Sequence, residues 1–100
     1  MKRPRMTGPT KLVLARLLND PLAEMYCLEI SKAVGLASGT VHPILRRFED
    51  FGWLKSRLED IDPAGAGRPR RRFYRLTDTG RTELAALLER ARGDSRSQNI

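Results

Sequence analysis

Residues 38–47 hold Ser38, Thr40, His42, Arg46 and Arg47, and residues 68–75 hold Arg68, Arg70, Arg71, Arg72 and Arg75 with no acid among them. The first group mixes small hydroxyl donors with an imidazole and long cations. Such side chains can donate to or accept from base edges and phosphates, which is the chemistry of reading a duplex groove. The second group is dense in like charge, and a run of that kind repels itself unless an anion lies beside it. Each group also has a plainer reading. Ser38 is a natural helix N-cap, Arg46 can pair with Asp50 one turn on for about 0.3 kcal/mol, and the arginine run can be a solvated loop. His42 is the only histidine and Cys27 the only cysteine. No catalytic constellation, metal-ligand spacing or intrachain disulfide can be assembled from them, so no enzyme, cofactor or metal site is assigned.

The chain has 100 residues, enough for one small domain with a modest core. Its 19 Lys and Arg against 12 Asp and Glu leave a formal charge of +7, which favours a polyanionic partner. The partner could be nucleic acid or an anionic membrane surface. The arginines fall in a turn-rich hairpin and not on the polar face of an amphipathic helix, which weighs against the membrane. No apolar stretch is long enough to span a bilayer and no signal-peptide pattern is present, so a cytoplasmic location is expected. Cys27 reads as a small buried hydrophobe in preference to a redox sensor. Trp53 reads as core beneath a hairpin in preference to a stacking platform for a ligand.

The elements that would position these side chains follow from periodicity. Val41, Ile44, Leu45, Phe48 and Phe51 recur at helical spacing and draw one apolar stripe along residues 37–51. The opposite face carries Gly39, His42, Pro43, Arg46 and Asp50, with Arg47 at its edge. A shorter helix over 28–34 stops at Gly35, and the two form a helix-turn-helix. Upstream, Thr10 is expected to cap a first helix over 11–19, and residues 22–27 form a linker with a short extended piece. Residues 53–59 and 71–76 alternate at period two around a loop at 60–69 rich in Gly and Pro, which predicts a hairpin. Thr77 is expected to cap a last helix that reads through to about Arg92. The fold is therefore mainly α with a small β-hairpin, a winged helix-turn-helix with a C-terminal dimerisation helix. Its divisions are a basic flexible arm at 1–9, a DNA-binding domain at 10–76, the dimerisation helix at 77–92 and a disordered tail at 93–100.

On this layout Ser38, Thr40, His42, Arg46 and Arg47 would face double-stranded DNA. Arg68, Arg70 and Arg72 in the wing would reach the backbone or an adjacent minor groove. The first and last helices carry more leucine than one core needs. Leu12, Leu84, Leu87, Leu88 and Ala91 are expected to form a homodimer seam. A second reading is a winged-helix interaction module that uses the same arginines on an acidic protein.

Residues 67–80, Gly-Arg-Pro-Arg-Arg-Arg-Phe-Tyr-Arg-Leu-Thr-Asp-Thr-Gly, resemble the wing and last-helix start of PadR-type transcriptional regulators. Residues 38–54, Ser-Gly-Thr-Val-His-Pro-Ile-Leu-Arg-Arg-Phe-Glu-Asp-Phe-Gly-Trp-Leu, resemble that family's recognition helix. His42 stands where the family usually has Tyr before the proline. Residues 25–30 resemble the family's Tyr-Gly-Tyr-x-Ile region, with Cys27 in place of the glycine. The resemblance implies a homodimer on a pseudo-palindromic operator that usually represses a nearby promoter, joined largely through the last helix with help from the first. A last helix ending near Arg92 is similar to the short branch of the family. Some relatives respond to small aromatic or cationic ligands, and nothing in this chain assigns an effector.

Overall fold

The computed structural model describes residues 7–97, with side chains through residue 90. Lys2, Arg3 and Arg5 of the expected basic arm lie outside the described residues, as do the side chain of Ala91 and residues 98–100.

Helix α1 (Gly8–Asn19) starts earlier than a Thr10 cap would allow. Thr7 is the cap, its hydroxyl accepting the Thr10 amide at 3.3 Å. Pro9 falls in the first turn, where its missing N–H leaves no bond unmade. Thr10 is instead buried, its hydroxyl 2.9 Å from that of Thr7. The arm expected at 1–9 therefore gives up Gly8 and Pro9 to the helix.

Strand β1 (Met25–Tyr26) is the short extended piece, and helix α2 (Cys27–Val34) follows it directly. Gly35 ends α2 in the left-handed region at φ 73°, a conformation that side chains with a Cβ rarely adopt. Its amide and that of Leu36 both close on the Ser31 carbonyl, at 2.9 and 3.1 Å. This tight stop leads straight into α3 (Ser38–Asp50). Ser38 does not cap it. Ala37 is already extended (φ −67°, ψ 146°) and its carbonyl accepts the amides of Thr40 and Val41, so the helix begins one residue too early for a Ser38 cap. Most of the apolar stripe is buried as expected: Val41 and Leu45 are fully enclosed, with Ile44 and Phe48 close behind, while Phe51 at its end is only partly buried against the core.

Strands β2 (Leu54–Leu58) and β3 (Arg72–Leu76) pair antiparallel, from Leu54 opposite Leu76 to Leu58 opposite Arg72. The sheet has a third strand, because β1 pairs with the other edge of β3, Met25 opposite Tyr74. Two residues were too short a signal for a strand; the pairing is supplied by β3, whose central place buries Tyr74. The loop joining β2 to β3 contains one helical turn, α4 (Pro63–Ala66), capped by the Asp62 carboxylate on the Ala64 amide at 3.2 Å.

Thr77 caps α5 (Asp78–Ser97): its hydroxyl accepts the Gly80 amide at 2.9 Å and donates to the Gly52 carbonyl at 2.8 Å. One side chain thus ties the last helix to the turn that ends α3. A Cβ on Gly80 would lie 2.0 Å from the Trp53 carbonyl oxygen, so only glycine allows this close approach. The helix continues to Ser97, past the Arg92 boundary and into the tail expected to be disordered. Extending an existing helix costs far less than starting one, and no proline interrupts it. The seam assignment needs a correction as well. Leu84 is fully buried and Leu87 is 8 % exposed, both within the chain's own core, because α5 turns them inward as it packs on α1 and the sheet.

Candidate nucleic-acid interface

Helix α3 is anchored by its stripe, so its other face is fixed in direction. Ser38, Gly39, Thr40, His42, Pro43, Arg46, Arg47 and Asp50 are all exposed on it. Among the described residues, the side chains of Ser38, Thr40, His42, Arg46 and Arg47 have neither a hydrogen-bond partner nor an ion-pair partner, and Arg46 does not pair with Asp50. The failed cap sharpens the site. With no side chain closing the start of α3, the Ser38 hydroxyl and the first amides of the helix are open to an outside acceptor. Pro43 sits inside α3 on this exposed side.

The wing is built differently. Glu59, at the end of β2, accepts Arg68 through both oxygens at 2.6 and 2.9 Å and also accepts the Arg71 amide at 3.2 Å. Arg68, expected at the DNA, is therefore held in the wing by a bidentate pair. Those donors keep the Glu59 carboxyl well below the usual carboxylate range, at about 2, with the Arg68 hydrogen bonds the largest cause. Arg70 Nε donates to the Ile61 carbonyl at 3.0 Å. Arg72 donates to Ser56 at 3.1 Å, and the Ser56 hydroxyl donates in turn to Glu49 on α3. This relay connects the wing to the last turn of the central helix. Arg70 and Arg72 remain exposed.

The outer face of the sheet takes the arginines that point away from Tyr74. Arg71 lies 4.4 Å from the Tyr26 ring centre and Arg57 lies 5.0 Å from that of Phe73, while the two rings meet edge to face at 5.7 Å. Arg57 also pairs bidentately with Glu24, at 2.7 and 2.8 Å. Cys27 is half-buried against the core, its thiol donating weakly to the Ser38 carbonyl at 3.8 Å, and burial pushes its pKa up. A raised pKa is the opposite of what activates a thiolate. Trp53 is buried and stacks on Phe51 at 4.7 Å, a core residue with no face left for a ligand.

Glu59, Ser56 and Glu49 carry no obvious signal in the sequence. A carboxylate nine residues before an arginine across a turn-rich loop is the only hint of the Glu59–Arg68 pair, and it is a weak one.

An exposed polar helix face after a tight turn, flanked by a hairpin, defines a winged helix-turn-helix DNA-binding protein. The model of the transcriptional regulator PadR-like family matches residues 16–86, and the chain belongs to that family of DNA-binding regulators, which are not enzymes. The fold is similar to that of a PadR family transcription regulator from Clostridium difficile R20291, at 26% identity and TM-score 0.69 over 92% of this chain and 96% of that one. A transcriptional regulator from Clostridium thermocellum has the same fold at 22% identity and TM-score 0.72, over 92% of this chain and 88% of that one. The disulfide-formed structure of AbfR matches at 29% identity and TM-score 0.64 over 83% of this chain, which spans about half (51%) of its length. No curated protein sequence matches. Among the described residues no helix is long and apolar enough to cross a membrane.

Proposed function

We propose that this chain is a sequence-specific repressor acting in the cytoplasm as a homodimer on a pseudo-palindromic operator. One observation carries the reading: the outer face of α3 presents hydroxyl, imidazole and guanidinium groups with no hydrogen-bond or ion-pair partner among the described residues. Set in a major groove, Ser38, Thr40 and His42 face base edges or phosphates near the start of the helix, and Arg46 reaches either. Arg47, nearer the stripe, takes a phosphate. Arg70 and Arg72 hold the flanking backbone, and their charge supplies affinity by counterion release.

The second copy docks against α1 and α5. An open groove of about 370 Å³ lies there between Ala15, Leu18, Asn19, Ala85, Leu88 and Glu89, and Leu12 is 48 % exposed. Leu12 and Leu88 stay in the proposed seam, and Leu18 and Ala85 take the places of Leu84 and Leu87. A dimer places two copies of α3 on successive turns of one duplex face, which explains a palindromic site and, over a promoter, repression.

The test is fluorescence anisotropy on labelled duplexes recovered from the source genome. The expected result is one sequence class bound about a thousandfold or more tightly than bulk duplex. Equal binding of every duplex would remove the sequence-reading claim. Sedimentation should give a dimer, and Leu12→Glu with Leu88→Glu a folded monomer; a dimer that survives both changes places the seam elsewhere.

A further inference from the structure

We infer that Glu59 is a specificity-setting residue: its carboxylate keeps Arg68 out of the phosphate contact set and so limits the wing's grip on DNA of any sequence. The inference rests on the duplex-binding reading above and adds to it a residue that never touches the DNA.

The geometry is that of an occupied guanidinium. Arg68 Nη1 and Nη2 each meet a different Glu59 oxygen, the arrangement a phosphate would otherwise take. Glu59 accepts a third hydrogen bond from the Arg71 amide, and the Glu59 amide itself donates to the Arg71 carbonyl at 2.7 Å. The carboxylate side chain is only 16% exposed and that of Arg68 34% exposed, so the pair is sheltered from solvent on the carboxylate side. Arg68 Nη1 also donates to the Pro69 carbonyl at 3.3 Å, which fixes the guanidinium over its own turn. A phosphate approaching this wing meets Arg70 and Arg72 with their charges unneutralised, each bonded only to a neutral oxygen. At Arg68 it meets a neutral pair, whose guanidinium has already given both Nη1 protons and one Nη2 proton to Glu59 and Pro69.

Counterion release turns this into a measurable quantity. Each phosphate neutralised by a protein cation adds about −0.9 to the slope of log affinity against log salt. Arg68, already neutralised within the chain, adds nothing. Glu59→Gln keeps the size of the side chain and an oxygen for the Arg71 amide but removes the charge that holds Arg68. The freed arginine then takes a phosphate, sequence-independent affinity rises, and the preference for operator over bulk duplex falls.

The experiment measures binding to an arbitrary duplex and to a preferred duplex from about 50 to 200 mM salt, for wild type, Glu59→Gln, and Glu59→Gln combined with Arg68→Ala. Glu59→Gln should steepen the slope by about one per wing, so that its gain on the arbitrary duplex is about threefold larger at the low end of the range than at the high end for one wing, and about tenfold larger for the two wings of a dimer. Adding Arg68→Ala should return the slope to the wild-type value, which separates release of Arg68 from a general loosening of the loop. An unchanged or shallower slope for Glu59→Gln, with wild type still binding duplex, overturns the inference and leaves the regulator reading intact. A slope that stays steep in the double variant also overturns it, because the new contact would then not be Arg68. A wild-type protein that binds no duplex sinks the regulator reading and this inference with it.

Discussion

Arg46 and Arg47 on α3 stand in solvent with no hydrogen-bond or ion-pair partner among the described residues, whereas the wing's arginines are already engaged: Arg68 by Glu59, Arg70 by the Ile61 carbonyl, Arg71 by the Tyr26 ring and Arg72 by Ser56. The two regions have similar arginine chemistry and opposite bonding. A helix locked by a buried stripe aims its side chains by backbone geometry alone, so they need no internal bonds to be in position. A long loop has no such frame and must hold its cations by bonding them to itself. Arginine density in a sequence is therefore no measure of the charge a surface offers to a ligand. Under the proposed function, this contrast assigns discrimination to α3 and a tempered electrostatic hold to the wing.

The most damaging change removes the frame both regions share. Phe48 is fully buried beside Trp53, at 5.7 Å between ring centres, and joins α3 to the sheet. Phe48→Ala should cost about 3–5 kcal/mol in denaturant unfolding and abolish binding through loss of the fold; a loss under about 1 kcal/mol would show that α3 is not held by its stripe. Arg46→Ala comes next and leaves stability unchanged. It should weaken the preferred duplex by about 1–3 kcal/mol while bulk duplex loses much less, and equal losses on both would make Arg46 a phosphate contact and erase half of the contrast. Arg70→Ala with Arg72→Ala should flatten the salt slope by about two per protomer with little change in preference. A slope that does not move would remove the wing from the contact set. The smallest effect is at low pH. The pKa of Glu59 is lowered on folding, so its contribution to wing order is complete above the ordinary carboxylate range and fades as pH falls toward about 2. A carboxyl NMR titration should show Glu59 with a midpoint near 2 in the wild type and higher in Arg68→Ala; identical midpoints would mean that Arg68 is not what holds it.

Much of this was legible in the residues. The stripe on α3, the Gly35 stop, the two alternating strands and the Thr77 cap are local patterns, each set by a few neighbouring side chains, and each appears where the sequence puts it. What escaped was set by distance or by competition. The pairing of β1 depends on β3, some fifty residues away. Ser38 and Thr10 are good caps that lost to an earlier helix start, at Ala37 and Thr7. Leu84 and Leu87 look the same as Leu88 in a periodic pattern, and only the packing of α5 on α1 decides which of them turn inward. Arg68 carries the clearest lesson, since nothing local reveals that Glu59 claims it.

Backbone amide shifts, followed by NMR as a tightly bound duplex is titrated in, report directly on which surface the DNA meets. The account expects the largest shifts at residues 38–47 with a second group at 68–72, and quiet amides along the outer groove between α1 and α5. Shifts concentrated in that groove or on the outer face of the sheet, with the α3 face silent, would contradict it.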